Sequence, residues 1–154
     1  MTTESSGPYL IAALLCEKVL QEKDDTISVI RIVDRLAVTV NALGSPETMQ
    51  PTAVSLNALI SLKSGSARGR GTVKWRVETP SGLKLPDQLL PVLFEGDDRG
   101  VNLIIDLNMV IDQEGVYWFD VILDEKLLTR IPLRILYQRI GQGGQTMMDK
   151  EDFC

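Results

Sequence analysis

The sequence predicts an all-β protein, an antiparallel β-sandwich of about eight or nine strands with Ig-like or C2-like architecture. Three observations carry that prediction. Apolar residues alternate with polar ones at a period of two, the alternating segments are short, and Gly, Pro and Asp clusters interrupt them at regular intervals. With 154 residues the chain is about one domain, long enough to bury a core without a disulfide or metal staple. The domain is expected over residues 8–140, between a disordered stretch at 1–7 and a flexible tail at 141–154.

Taken in order, residues 9–16 form an apolar run that fits both a helical stripe (Ile11, Leu14, Leu15, Val19) and a strand face (Leu10, Ala12, Leu14, Cys16). The strand is preferred, because Asp24 and Asp25 then make a turn into the β-branched run from Thr26 to Val33. Residues 35–40 continue as a strand. Residues 41–52, with Gly44, Pro46 and Pro51, read as a long connection crossing between sheets. In the next strand Val54, Leu56, Ala58, Ile60 and Leu62 share one side. Residues 64–71, SGSARGRG, read as a flexible basic loop. After it Val73, Trp75 and Val77 face inward and Lys74, Arg76 and Glu78 outward, with Trp75 a core anchor. Pro80-Ser81-Gly82 turns the chain, and residues 83–91 carry too much proline for a central strand. A short strand at 92–95, an acidic turn at 96–98 and a strand with Val101, Leu103, Ile105 and Leu107 on one face complete the approach to the clearest element.

That element is a hairpin over residues 115–138. Tyr117, Phe119, Val121 and Leu123 alternate with Val116, Trp118, Asp120 and Ile122. On the second arm Thr129, Ile131, Leu133 and Ile135 alternate with Leu128, Arg130, Pro132 and Arg134. Opposed side chains must share a face, so an odd loop is required. A three-residue connection of Asp124, Glu125 and Lys126 sets Val121 against Thr129, Phe119 against Ile131 and Tyr117 against Leu133. The outer face then pairs Asp120 with Arg130, Trp118 with Pro132 and Val116 with Arg134. Pro132 removes a ladder donor, which places the second arm at an edge or at a bulge.

The run from Ala12 to Glu17, a polar turn and the run from Ile27 to Asp34 resemble the opening of a group of short, single-domain, β-sandwich-like bacterial proteins of unknown function. Gly115, Tyr117, Phe119, Val121 and Pro132 match the later strands of that group. The resemblance implies a fold and no activity.

Composition narrows the function classes. A net charge of −5 and a pI near 4.8 argue against broad nucleic-acid binding. No apolar run approaches the ~20 residues that span a bilayer, and Tyr9–Cys16 lacks the basic flank of a signal peptide. A cytoplasmic location is expected, with Cys16 and Cys154 as free thiols. Histidine is absent, which removes the commonest general base and zinc ligand together. No cofactor, metal or enzymatic activity is expected. The cations Lys63, Arg68, Arg70, Lys74 and Arg76 read as solvated charge rather than a phosphate site. Two surfaces remain. One is the outer face of the last hairpin, where Val116, Trp118, Ile122, Leu128 and Pro132, framed by Arg130 and Arg134, are too apolar for plain solvent and fit contact with another protein or a second copy. A free sheet edge offers a second route to the same partners. The alternative is a small-ligand or Ca²⁺ module using the loop acids Asp97, Asp98 and Asp112. Met147, Met148 and Phe153 could belong to a short linear motif, although a passive terminus is the plainer reading.

Overall fold

The computed structural model describes residues 7–41, 43–44 and 46–140, and these are all-β. Seven strands are found among them: β1 (Tyr9–Gln21), β2 (Ile27–Ile32), β3 (Arg35–Asn41), β4 (Thr52–Glu78), β5 (Gln88–Ile111), β6 (Gly115–Leu123) and β7 (Lys126–Ile140). They form one sheet in the order β2-β1-β4-β6-β7-β3, with β5 on the other side of β4.

The expected count of eight or nine strands is corrected by two long elements. The Gly/Ser segment 64–71 is not a loop. It lies inside β4, paired with β5 from Thr52↔Ile111 through to Trp75↔Gln88, and two irregularities between Lys63 and Arg68 let the ladder continue. The acidic turn at 96–98 likewise lies inside β5. Glycine suits position 96 because its φ of +93° is one that other residues rarely adopt, and the Arg68 guanidinium, which donates to the Glu95 carbonyl at 2.9 Å, lies close over it where the strand bends.

The bend also explains how one sheet encloses a core. The first half of β4 pairs with β1, and its last turnless stretch, Val73–Glu78, pairs with β6. Side chains from both halves join a single buried cluster that includes Leu56, Ala58, Ile60 and Leu62 from the first and Val73 and Trp75 from the second. The sheet therefore curls on itself. Tyr117, Phe119 and Val121 of β6 and Leu133 and Ile135 of β7 fill the other side at 0–1% exposure, as the alternation required. Trp75 lies against Phe119 with ring centroids 5.5 Å apart.

The expected antiparallel pattern fails at one place, so the sheet is mixed. β3 runs parallel to β7, from Arg35↔Arg134 to Asn41↔Ile140. No hairpin joins these strands, so nothing local imposes an antiparallel sense. β1 and β2 form the expected hairpin around Asp24 and Asp25, with Thr26 N–H donating to Asp24 Oδ1 at 3.1 Å. The expected β1 face is corrected, because a bulge between Leu10 and Ala12 switches the inward set to Leu10, Ala13 and Leu15. Cys16 is a buried free thiol whose pKa is raised by desolvation. The expectations for residues 1–6, the tail 141–154 and Cys154 fall outside the described residues.

Candidate functional site

The β6–β7 hairpin keeps its predicted outer pairs but makes them by different local chemistry. Its turn has two residues, Asp124 and Glu125, with Leu123 opposite Lys126, which corrects the three-residue connection. A two-residue turn alone would reverse the second arm's faces. A register shift next to Val121 leaves Leu128 without a partner and restores Val121↔Thr129, Asp120↔Arg130, Trp118↔Pro132 and Val116↔Arg134. Both turn residues have positive φ, 44° at Asp124 and 74° at Glu125, as a primed turn demands. Glycine is replaced by an anchor. Asp124 N–H donates to the Thr72 carbonyl at 3.0 Å, and Asp124 Oδ1 accepts from Thr72 N–H at 3.0 Å.

The bulge corrects one site residue. Leu128 packs against the core cluster, while Leu127 takes its place on the outer face, 52% exposed and opposite Ile122. Pro132 is accommodated because β3 joins β7 only from Arg134 onward, so at Pro132 the strand is a local edge.

Trp118 stays on the outer face, half-buried. The Arg130 guanidinium lies 4.7 Å from its ring centroid, a cation–π contact. The same group donates through Nε to Asp120 at 2.7 Å and through Nη2 to Glu78 at 3.0 Å. Asp120 is only 7% exposed and therefore needs that partner. Its hydrogen bond is the chief cause of the raised Arg130 pKa. Arg130 thus shields Trp118 without covering the neighbouring surface. Register sets Lys74 between Leu89 and Ile122, and Ile122 beside Leu127, so one row crosses β5, β4, β6 and β7. Leu89 is 60% exposed. Next to this row Thr72, Lys74, Leu89, Asp124 and Glu125 line a depression of about 410 Å³. Leu89 and Leu127 were missed in the sequence, since Leu89 sits in a proline-interrupted stretch and a three-residue connection would set Leu127 opposite the inward Leu123.

Val116 and Arg134 occupy the row beyond Trp118, where Arg134 is exposed and beside Arg35. The acids of the alternative site do not converge. Asp97 is at the bend, opposite Gly65 and paired with Arg68 at 3.3 Å, and Asp98 follows it. Asp112 lies past the far end of β5, about 45 Å of extended strand away. Among the described residues no group of three or more His, Cys, Asp or Glu is placed to hold a metal ion. The basic segment is largely matched to acids. Arg76 pairs with Asp87 at 2.9 and 3.1 Å, Lys74 approaches the same carboxylate, and Lys63 donates to the Asp98 carbonyl. The Arg76 hydrogen bond holds Asp87 below its usual carboxylate pKa. On the outer side of the first half of β4, Ser55–Asn108, Asn57–Asp106 and Ser61–Asn102 form polar cross-strand hydrogen bonds, so those groups satisfy one another.

No helix of the described residues is long and apolar enough to cross a membrane. The model of a family described as a family of unknown function (DUF6941) matches residues 11–136. No curated protein matches the chain. Among solved structures, the chain is similar to the CARDB domain of the PF1109 protein of Pyrococcus furiosus, solved in complex with di-metal ions. That likeness has 12% identity and a TM-score of 0.40, covering 81% of this chain and 88% of that one.

Proposed function

For a chain that belongs to DUF6941, a family of unknown function, we propose a non-catalytic role as a cytoplasmic protein-interaction module. We read the curled sheet as two facing layers of a sandwich sharing the bent β4–β5 hairpin, and its outer β4–β6–β7 face as the contact surface. One observation carries the reading: Leu89, Ile122 and Leu127 stand in one row that is interrupted at β4 by Lys74, and the Arg76–Asp120–Arg130 row separates them from a Trp118 that Arg130 holds in place. Exposed apolar residues close to Trp and Arg have the composition of an interface centre. The partner is another protein or a second copy of this chain.

A photo-crosslinking residue at Leu127 tests this, with Leu43, 73% exposed elsewhere, as the control position. A discrete adduct at Leu127 that Leu89→Asp or Trp118→Asp abolishes, while circular dichroism stays native, supports the surface. An adduct insensitive to both substitutions, or equal at Leu43, removes the support. If Trp118→Asp unfolds the chain, Leu89→Asp decides alone.

A further inference from the structure

Among the described residues β5 pairs with β4 alone, so its other edge carries no strand. Sheet edges are ordinarily blunted by proline, charged side chains, a bulge or shortness. The first half of β5 has Pro91, β2 holds Arg31 at φ +56°, and β3 is seven residues long and opens on Arg35. Residues 100–111, GVNLIIDLNMVI, carry none of these devices beyond a single charge at Asp106, and they pair with β4 without irregularity from Gly100↔Lys63 to Ile111↔Thr52. An edge of that length and composition is a template for another strand.

The side chains on its outer face say which strand fits. Ser61 Oγ donates to Asn102 Oδ1 at 2.7 Å, and Asn57 Nδ2 donates to Asp106 Oδ1 at 2.9 Å. These bonds use one atom of each side chain: Asn102 Nδ2 and Asp106 Oδ2 have no partner among the described residues. A donor and an acceptor thus stand two positions to either side of Ile104, which is 39% exposed and ends the apolar row Leu14–Leu59–Ile104. That arrangement is complementary to itself when the strand is reversed. A two-fold axis at Ile104 sets this residue against its own copy and each Asn102 against Asp106 of the second copy. On the inner face the same axis sets Leu103 against Ile105, and Val101 against Leu107, of the second copy. An axis between residues would set inner side chains against outer ones. An axis at Ile105 would oppose Ile104 to a carboxylate, and one at Asp106 would oppose two carboxylates. We propose that two copies of this chain pair their β5 edges antiparallel over residues 100–108, centred on Ile104, so that one sheet runs through both. The pairing uses no residue of the surface at Leu89 and Leu127, and either stands if the other fails.

Sedimentation of the full 17.1 kDa chain tests this, and should show a monomer passing to a dimer as concentration rises. Asn102→Asp opposes carboxylates at two places and should weaken association at least about tenfold. Adding Asp106→Asn exchanges the two groups while keeping the acceptors for Ser61 and Asn57, and should restore the dimer. Ile104→Lys should abolish it, and Leu89→Asp should leave it unchanged. The register is read by thiol pairing in a Cys154→Ser background, with diamide as oxidant. Ile104→Cys should give a disulfide-linked dimer, whereas Val110→Cys should not, although position 110 is 62% exposed against 39% at 104. A chain still monomeric at millimolar concentration overturns the proposal. So does a dimer lost on Leu89→Asp but kept on Ile104→Lys, an exchange that fails to restore what Asn102→Asp removes, or a disulfide formed as fast at Val110→Cys as at Ile104→Cys. Should Ile104→Lys unfold the chain, the exchange of Asn102 and Asp106 decides alone, since both positions are exposed.

Discussion

Replacing Arg130 by alanine withdraws one guanidinium from three partners at once. The charged hydrogen bond to Asp120 at 2.7 Å is worth about 1.5–3 kcal/mol, the contact with Trp118 about 0.5–1, and the more exposed pair with Glu78 about 0.2–1. The three share one group and the Arg130 side chain is 38% exposed, so solvent screening lowers their sum. A loss of about 2–3 kcal/mol is expected, near 4–12 °C in Tm for a chain of this size. Urea unfolding followed by Trp fluorescence measures it. Arg130→Lys should recover only part of the loss, since an ammonium cannot bridge the two acids and cover the ring together. The decisive variant replaces both partners, Asp120→Leu with Arg130→Leu. Removing the two charges together leaves no stranded carboxylate, so this pair should lie closer to the native protein than Arg130→Ala does. A double variant less stable than Arg130→Ala, or an Arg130→Ala loss below about 0.5 kcal/mol, would refute the view that Arg130 is needed to compensate Asp120.

Phe119→Ala, at a fully buried position, should cost about 3–5 kcal/mol, whereas Ile122→Ala on the adjoining outer position should cost clearly less; chemical denaturation of the two reads the face assignment directly. At the turn, Asp124→Asn should be nearly neutral, because it keeps both the acceptor for Thr72 and a tolerance of positive φ, while Asp124→Ala should lose about 1–2 kcal/mol. Asp87 has a depressed pKa when folded, so the stability it contributes is present above the ordinary carboxylate pKa and is lost as pH falls through the folded value. Asp87→Asn should therefore flatten the acid limb of the pH–stability profile, and an unchanged limb would show the Arg76 pair to be inert.

The parts of this fold that could be read from the sequence are those set by the two-residue period. Val54 to Leu62, Val73 to Val77, Val101 to Leu107 and Tyr117 to Val121 all turn their predicted sides inward, because burial of one face leaves a strand no freedom to slip. What could not be read depends on distant partners. Glycines in 64–71 weaken a strand locally, and only the ladder supplied by β5 makes that stretch extended. The parallel β3–β7 pair and the bulge at Leu128 have no local signature either. On the outer face Trp118, Ile122, Arg130 and Pro132 stand where the alternation put them. Leu89 entered the surface through a pairing that its proline-flanked sequence concealed.

The β3–β7 pair has a consequence for how the molecule is made. Thr39 Oγ1 and Gln138 bond at 3.2 Å across 99 positions of sequence, so a ribosome has delivered nearly every described residue before β3 can find its neighbour. Until then β6 and β3 both present bare backbone to solvent, a hazard for a nascent chain at high local concentration. Closure of this pair should be a late and slow event, as expected where contacts span most of a polypeptide.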